Sequence, residues 1–380
     1  MSYTNHVIII GSNHHNTLSM VRSFGEDGMS VFLLIYGACK SYIAFSKYVE
    51  YVQYASTVDD ILETLKSVCQ KEVEKPVVIA CSDEVSSKMD LRYEEFIHIC
   101  HFFNAREKGR ITYFMDKQIQ LYLAEKCGFD VPYSYEILPD DVDLYKIHFP
   151  CFIKPKESIH GGKNICVCKN FNEVENALLH YDSKYEILIQ DYIEKEYEIV
   201  ILGLSVDGTN YIPGFVQKHR EAKGGTTYST IRPIGELEQE LIHSCEKLIN
   251  EIGYSGLWGI ECIKQGNKYY FLELNMRNDA TTYSLVVAGF NLPLVFYKYC
   301  IGAEIPKYVS PIETIDSMVE FVDFNFVLKG QISYKVWKKQ LKASKCRYFY
   351  SLEDKKPYCL YIREYLRFLM NTFFRKNFKQ

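Results

Sequence analysis

The sequence predicts a chain of mixed α/β and α+β class, and three observations lead to this prediction. Near the start, the strand patterns His6–Ile10 and Val31–Ile35 flank the helix pattern Thr17–Glu26, a βαβ unit typical of a doubly wound, Rossmann-like domain. Farther along, two apolar runs flank the turn signal Gln265-Gly266-Asn267 and indicate an antiparallel β-hairpin. The chain ends in a basic extension that begins near Gly330.

The composition is that of a soluble globular protein with room for more than one domain. The 380 residues are 47% hydrophobic and 24% charged, and a chain of this length forms two or three domains with substantial cores. The 13 cysteines are scattered without zinc spacing, no secretory signal opens the chain, and no apolar run reaches the roughly 18 residues that span a bilayer. We therefore expect a cytoplasmic protein with reduced thiols.

Polar residues follow two of the predicted N-terminal strands. Ser12 and Asn13 follow the first strand in a loop that lacks the G-x-G-x-x-G pattern, so a dinucleotide site is not expected there. The strand pattern 76–80 is followed by Ser82, Asp83 and Glu84, which either cap the next helix or contact a substrate. Because doubly wound sheets bind ligands at their carboxyl edge, we treat Ser12, Asn13, Asp83 and Glu84 as candidate substrate contacts.

The hairpin near residue 266 carries the strongest chemical signal. Its apolar runs are Leu257–Ile263 and Tyr269–Leu274. Since side chains alternate along a strand, Glu273 and Asn275 point the same way, and Glu261 lies on the partner strand at a similar distance from the turn. Two carboxylates and an amide oxygen on one face suit Mg²⁺. An ordinary hairpin with solvated acids is the alternative.

Five features follow one another in a characteristic order. They are Lys117 at a helix start, Lys154 at a strand end, the Gly-Gly loop Ser158–Asn164, the strand end Gln190–Ile193, and the hairpin acids. In this order they resemble the ATP-grasp superfamily of carboxylate–amine ligases over about residues 1–300, including the N-terminal domain that precedes the ATP-grasp fold. The resemblance implies a domain over 1–115, an ATP-grasp domain over 116–305 with a lid subdomain at about 130–192 and a large subdomain at about 193–305, and an extension over 306–380.

The resemblance also implies a role for each matching residue. Lys117 and Lys154 would contact the ATP phosphates, and the loop would close over them. Glu198 would bind the ribose, with Glu196 as the competing residue, and Arg277 would neutralise the acyl phosphate. The full implied set is Lys117, Lys154, Ser158, Gly161, Gly162, Lys163, Gln190, Asp191, Tyr192, Ile193 and Glu198 for ATP, and Glu261, Glu273 and Asn275 for the metal.

A segment rich in glycine and cations lies between Glu198 and the hairpin. We predict a loop over the site, in which Lys218 and Arg220 bind the γ-phosphate or a substrate carboxylate and Arg232 adds a third cation. Solvated loop charges are the alternative. This segment resembles the ATP-grasp ligases related to D-aspartate ligase and to cell-envelope polysaccharide enzymes.

The implied activity is ATP-dependent ligation of a small-molecule carboxylate to an amine through an acyl phosphate. Its cofactors would be ATP and one or two Mg²⁺ ions, with Mn²⁺ as a substitute. A nucleotide-binding regulatory or scaffold protein and an ATP-dependent kinase are the alternatives. The intact set Glu261, Glu273 and Asn275 argues against a pure binding module.

The basic extension suggests a further partner. From Gly330 to Gln380 there are 13 Lys and Arg against three acids, a local balance of +10 in a chain whose net charge is −4. After Pro357, a good first helical residue, an amphipathic helix is predicted, with its apolar stripe at Leu360, Leu366, Leu369, Met370 and Phe373. Such a helix either lies on an anionic membrane surface or packs on the core or a second subunit. We expect no nucleic acid partner and leave a homodimer and a location at the inner face of the membrane open.

Overall fold

A computed structural model describes residues 5–155, 166–222 and 225–377, with side chains described as far as Arg367. Within these ranges the strands form three sheets, of four, seven and four strands. The N-terminal sheet and the seven-stranded sheet share one continuous apolar core. The third sheet has a separate small core that includes Ile153, Val174 and Ile189.

The N-terminal part is a parallel sheet in the strand order β3-β2-β1-β4. Its elements are β1 (Val7–Gly11), α1 (His15–Gly25), β2 (Val31–Tyr36), β3 (Val49–Ala55), α2 (Val58–Cys69), β4 (Val77–Ala80), α3 (Asp83–Leu91), α4 (Tyr93–Phe96) and α5 (Arg110–Phe114). The predicted doubly wound opening is therefore confirmed. Because the chain order reverses between the adjacent strands β1 and β4, the residues that follow these two strands flank a topological switch point.

A smaller antiparallel sheet follows, in the order β5-β8-β6-β7. Its part of the chain contains α6 (Lys117–Cys127), β5 (Ser134–Ile137), β6 (Cys151–Pro155), β7 (Cys166–Cys168), α7 (Phe171–Leu178) and β8 (Ile187–Asp191). Helix α6 begins where the sequence indicates, because the Asp116 side chain accepts hydrogen bonds from the amides of Gln118 and Ile119. It ends at Gly128 in the left-handed conformation.

The third part is built on the seven-stranded sheet β13-β12-β9-β10-β11-β14-β15. Its first elements are β9 (Tyr197–Val206), β10 (Thr209–Ala222), β11 (Gly225–Pro233), α8 (Gln239–Ile252), β12 (Gly256–Gln265) and β13 (Lys268–Asn275). Trp258 is buried against Gly203 on the neighbouring strand, where an added Cβ would lie 2.2 Å from the indole ring. The predicted β12–β13 hairpin is confirmed.

One structural prediction from this part is wrong. The segment that we expected to hang over the site as a loop is the hairpin of β10 and β11 in the interior of the sheet. Lys218 and Arg220 both lie on β10, and Arg232 lies on β11. The alternating apolar residues of β10, such as Phe215 and Val216, are buried and stabilise a strand in spite of the cations and glycines around them.

The C-terminal part returns to the sheet. It contains α9 (Thr282–Ala288), α10 (Leu292–Cys300), β14 (Ile315–Met318), α11 (Glu320–Leu328), α12 (Tyr334–Ala343), β15 (Cys346–Arg347) and α13 (Lys355–Asn377). Strand β14 pairs with β11, and the buried Arg22 of α1 forms an ion pair with Asp354 at an N–O distance of 3.2 Å. Residues beyond 306 thus connect the seven-stranded sheet with the N-terminal part. Among the described residues, the structure contains no helix with the length and apolarity required for a membrane span.

Candidate active site

The predicted metal ligands share one face of the β12–β13 hairpin. Glu261 pairs directly with Glu273, and Gly259 pairs with Asn275. The register shifts by one residue between Glu261 and Cys262, so that Leu272 is an additional, bulged residue on β13. This shift places the two carboxylates opposite each other, which brings the three oxygen-bearing side chains together.

Lys218 lies at the centre of a buried ion cluster on the same face of the sheet. Its Nζ is 2.6 Å from Glu261, 3.0 Å from Glu221 and 3.2 Å from Glu198. The side chain is only 7% exposed. Lys195 adds a second ammonium, 2.7 Å from Glu198 and 3.5 Å from Glu221. The cluster therefore joins the predicted ribose ligand, Glu198, to the predicted metal ligand, Glu261.

Burial and charge act against each other in this cluster. Burial raises the pKa of the Glu261 carboxyl to about 7; the Lys218 ammonium opposes this shift, and the negative charges of Glu273 and Asp279 increase it. Burial would lower the pKa of Lys218, but Glu261, Glu221 and Glu198 together hold it above its ordinary value. Lys218 therefore remains a cation, and any further positive charge near Glu261 favours the ionised form of its carboxyl.

The two predicted phosphate-binding lysines converge on this face from different elements. Lys117, in the first turn of α6, lies 3.2 Å from Glu273. Lys154, at the end of β6, donates a hydrogen bond to Gln190 at 3.3 Å. Burial lowers the pKa of Lys154, and the positive charge of Lys117 lowers it further. A polyanion between the two ammonium groups would offset this effect.

The predicted adenine segment lies at the end of β8. The amide of Tyr192 donates to the carbonyl of Pro150, and the Tyr192 ring packs against Phe152 with a centroid distance of 4.9 Å. The carboxylate of Asp191 lies 3.3 Å from His148. Of the two glutamates proposed for the ribose, Glu196 accepts a hydrogen bond from the amide of Gly266 at 2.8 Å, whereas Glu198 belongs to the buried cluster. This arrangement favours Glu198.

Arg277 joins the hairpin to the N-terminal sheet. Its Nη2 donates to the Asn275 side chain at 3.0 Å, and its Nε donates to Asp83 at 2.9 Å. Asp83 begins helix α3, directly after the carboxyl end of β4. Two further contacts close the same junction: Asn278 donates to the side chain of Asn16, and Asn16 donates to the carbonyl of Cys81. Residues at the switch point of the N-terminal sheet therefore orient the guanidinium of Arg277.

Along the chain, the residues of this site occur in the order that the sequence resemblance requires. The two lysines come first, the paired acids follow, and the arginine comes last. The ATP-grasp domain family matches residues 123–288. The chain therefore contains an ATP-grasp domain.

The relatives of this ATP-grasp chain are enzymes. A formate-dependent phosphoribosylglycinamide formyltransferase from Bacillus velezensis is 26% identical over 275 residues, which cover 67% of this chain and 68% of the relative. The enzyme of the same name from Syntrophotalea carbinolica is 31% identical over 157 residues, or 39% of this chain and 38% of its own. Both relatives are enzymes by name, in agreement with the prediction of an enzyme.

Solved structures with the same fold lie at lower identity. An N5-carboxyaminoimidazole synthetase from Staphylococcus aureus, complexed with ADP, superposes with a TM-score of 0.65 at 12% identity and covers 87% of this chain and 86% of that one. An L-amino acid ligase from Bacillus licheniformis gives 0.62 at 13% identity, with 83% and 80% covered. These likenesses confirm the predicted ATP-grasp fold.

Several predicted residues of the ATP-grasp site have other partners. Arg220 forms a two-pronged pair with Asp323 of α11, at 2.9 and 2.8 Å, and Arg232 contacts Gln217 and Glu236. Neither arginine joins the Lys218 cluster. Glu84 pairs with Lys88 at 3.4 Å, and Ser41 donates to Asn13. The Ser12 carbonyl accepts a hydrogen bond from Thr17.

The loop residues Ser158, Gly161, Gly162 and Lys163 lie outside the described residues. The roles assigned to all of these positions stay predictions.

Sequence reasoning missed two acids that belong to the site. Glu221 pairs with both Lys218 and Lys195, although it lies in a segment that we interpreted as a loop. Asp279 is close enough for its charge to raise the pKa of Glu261, and its carboxylate accepts hydrogen bonds from the Thr281 amide and hydroxyl. Asp279 lies two residues after the predicted Arg277, just past the end of β13, and this proximity in sequence is a signal that could have identified it.

Proposed function

We propose that this ATP-grasp chain ligates a small-molecule carboxylate to an amine with consumption of ATP. One observation carries the proposal: Glu261, Glu273 and Asn275 share a face with the cations Lys117 and Arg277 at their margin. A face with clustered oxygen ligands and flanking cations suits a nucleoside triphosphate and a hard divalent ion. A module that binds an uncharged ligand would need neither the clustered oxygen ligands nor the flanking cations.

The chain's residues divide the work of this reaction between them. Lys117 and Lys154 bind phosphate oxygens, and a phosphate chain between them offsets the repulsion of two ammonium groups. Glu261, Glu273 and Asn275 would hold Mg²⁺, or Mn²⁺, which supplies positive charge against the phosphate oxygens as ADP leaves. One or two ions would fit this role in the proposal.

Lys218 stabilises the carboxylates of the ligand set, and Arg277 stabilises the acyl phosphate. Lys218 favours the ionised forms of the buried Glu198 and Glu261, so that the ribose and metal ligands stay in position. The substrate carboxylate attacks the γ-phosphorus and ADP departs. The amine nitrogen then attacks the acyl carbon, loses a proton and expels phosphate, while Arg277 neutralises the charge on the acyl phosphate. Such catalysis consists of positioning and charge stabilisation.

The substrates are proposed to bind between the N-terminal sheet and the hairpin. Ser12 and Asn13 follow β1, and Asp83 follows β4, so all three stand at the switch point that faces Arg277. The loop Ser158–Asn164 is proposed as the lid over the phosphates, and Gln190–Ile193 as the adenine segment. Domain boundaries near residues 115 and 305 complete the arrangement.

The proposal is tested by incubating the full chain with ATP, Mg²⁺ and pools of amino acids and hydroxy acids, while phosphate release and product masses are followed. We expect phosphate in equal amount to a product whose mass is that of acid plus amine less water. ATP consumption that yields a phosphorylated acceptor without free phosphate would instead identify a kinase. Nucleotide binding without turnover in every pool would identify a regulatory or scaffold protein.

The place of action is part of the same proposal. We propose a cytoplasmic enzyme that associates with the inner face of the membrane through its basic C-terminal segment, where a lipid-linked substrate would be accessible. A homodimer is compatible with this proposal. The resemblance to ligases of the D-aspartate ligase type supports a substrate of the cell envelope.

A further inference from the structure

The helices α11 and α12 form a helical hairpin at the surface, and α12 has one packed and one exposed side. On the packed side, the Trp337 ring meets Phe324 of α11 at a centroid distance of 4.8 Å in an edge-on contact. Ser344, just past the helix end, is buried, and Arg347 donates to the carbonyl of Leu341 at 2.8 Å. These contacts hold α12 in a defined orientation on the body of the protein.

The exposed side of α12 carries charge of a single sign. We call it the α12 face. It consists of Tyr334, Lys335, Val336, Lys338, Lys339 and Lys342, all exposed. From Lys329 to Leu352 the chain has seven Lys and Arg and no acid, so the rest of this chain of net charge −4 carries −11. This part of the chain therefore has an excess of positive charge, and four of its lysines lie on the α12 face.

Large apolar side chains are interleaved with these lysines. Tyr334 and Leu328 are each 54% exposed, and Val336 is 48% exposed. Leu328 ends α11 and Tyr334 begins α12, so both lie at the turn between the two helices. The ammonium of Lys338 lies 5.8 Å from the centre of the Tyr334 ring. A tip that combines exposed apolar groups with cations matches the boundary between lipid headgroups and acyl chains.

The first part of α13 packs against the body of the protein, in contrast to the exposed side of α12. Tyr361 stacks on Phe349 at a centroid distance of 4.0 Å, and Tyr358 and Tyr365 pack against Phe321. The Tyr365 hydroxyl donates to Asn325 at 3.1 Å. Leu360 packs on the core, whereas Leu366 is exposed. This part of α13 is thus an internal support, and the remainder of the predicted stripe lies outside the described side chains.

We propose that the α12 face is the docking surface for an anionic membrane. The proposal rests on the membrane association suggested above and assigns that association to α12, with the tip at Leu328 and Tyr334 entering the headgroup layer. Lysines near an anionic bilayer each strengthen binding several-fold. A duplex nucleic acid would use the cations but would gain nothing from exposed Leu328 and Val336, so the membrane is the better match.

The test compares vesicle binding by the full chain and by two sets of variants. Vesicles contain phosphatidylcholine alone or mixed with phosphatidylglycerol, and bound protein is measured by flotation at low and high salt. The charge variant combines Lys338→Gln, Lys339→Gln and Lys342→Gln; its matched control combines Lys71→Gln, Lys146→Gln and Lys184→Gln, which are exposed elsewhere. The apolar variant combines Tyr334→Ser and Val336→Ser.

We expect salt-sensitive binding to the anionic vesicles only, on the order of 100-fold weaker in the charge variant and unchanged in its control. The apolar variant should lose the part of binding that survives high salt. Absent vesicle binding, equal loss in variant and control, or tighter lysine-dependent binding to duplex DNA than to vesicles would overturn the proposal. ATP turnover is measured on the same samples without vesicles, so a failure of the ligase reaction is distinguished from a failure of docking.

Discussion

Two hairpins of the seven-stranded sheet, which flank β9, each contain a one-residue shift in register, with opposite results for the predicted site. In β12–β13 the bulge at Leu272 moves Glu273 opposite Glu261. In β10–β11 the register shifts between Lys218 and Arg220, with His219 as the additional residue. One bulge brings two predicted ligands together, and the other separates two predicted phosphate-binding cations.

The separation follows from the alternation of side chains along strands. Lys218 pairs with Ser229 and Arg220 pairs with Tyr228, and these two consecutive residues of β11 point to opposite faces. Lys218 therefore faces the acids of the site. Arg220 faces α11, where Asp323 is fully buried and the Tyr228 ring lies 4.5 Å from the guanidinium. A shift of one residue in register is enough to move a side chain to the opposite face of the sheet.

The largest effect is expected on the hairpin that the bulge completes. Glu273→Gln should lower the rate of ADP formation by at least about a thousandfold. The substitution replaces a negatively charged ligand with a neutral amide on the face that Glu273 shares with Glu261 and Asn275. Unfolding should be unchanged, since Glu273 is a third exposed. Turnover is measured at saturating Mg²⁺ beside the matched variant Glu240→Gln on α8. Wild-type turnover in Glu273→Gln would refute the metal assignment.

The second prediction separates the two cations of β10. Lys218→Met should lower turnover about 100-fold, because three carboxylates then crowd the site without their shared cation. Arg220→Met should leave turnover of the folded protein unchanged but reduce the free energy of unfolding by about 3 kcal/mol, since the buried Asp323 would lose its cation and keep only the Thr227 hydroxyl as a partner. Urea unfolding and initial rates measure the two quantities. An Arg220 variant that is stable but inactive would place Arg220 in the site.

A third prediction concerns the link from Arg277 to the N-terminal sheet. Asp83→Asn should lower turnover about tenfold by leaving Arg277 less well oriented. Stability should change little, because Asp83 is half exposed. Asp59→Asn, at an exposed acid of α2 that pairs with Lys88, is the control. Equal rates in the two variants would mean that Asp83 does not orient Arg277.

The smallest effect is expected from the bulged residue His219 itself. Burial lowers the pKa of His219, the charges of Arg220 and Arg232 lower it further, and Asp316 opposes them. The unfolded chain therefore takes up a proton below about pH 6.5 while the folded chain does not, so this residue makes stability fall as the pH decreases. Thermal unfolding between pH 7.5 and 5.5 should be less pH-dependent in His219→Gln. An unchanged pH dependence would show that His219 titrates normally.

Much of this ATP-grasp chain could be predicted from local signals. The alternation of strands and helices near the start, the cap at Asp116, the stop at Gly128 and the turn at Gly266 each depend on residues close in sequence. The shared direction of Glu273 and Asn275 needs only the period of a strand. The order of Lys117, Lys154 and the hairpin acids was sufficient to predict the ATP-grasp domain.

Tertiary structure decided the rest. Cations and glycines made β10 and β11 resemble a loop, yet pairing with β9 and β14 on either side supplies their hydrogen bonds and buries their apolar residues. The positions of the two bulges, the approach of Glu221 to Lys218, and the capture of Arg220 by Asp323 all depend on partners far away in the chain. Local sequence specifies which residues alternate along a strand, but the neighbouring strands determine the register, and the register determines which charges meet.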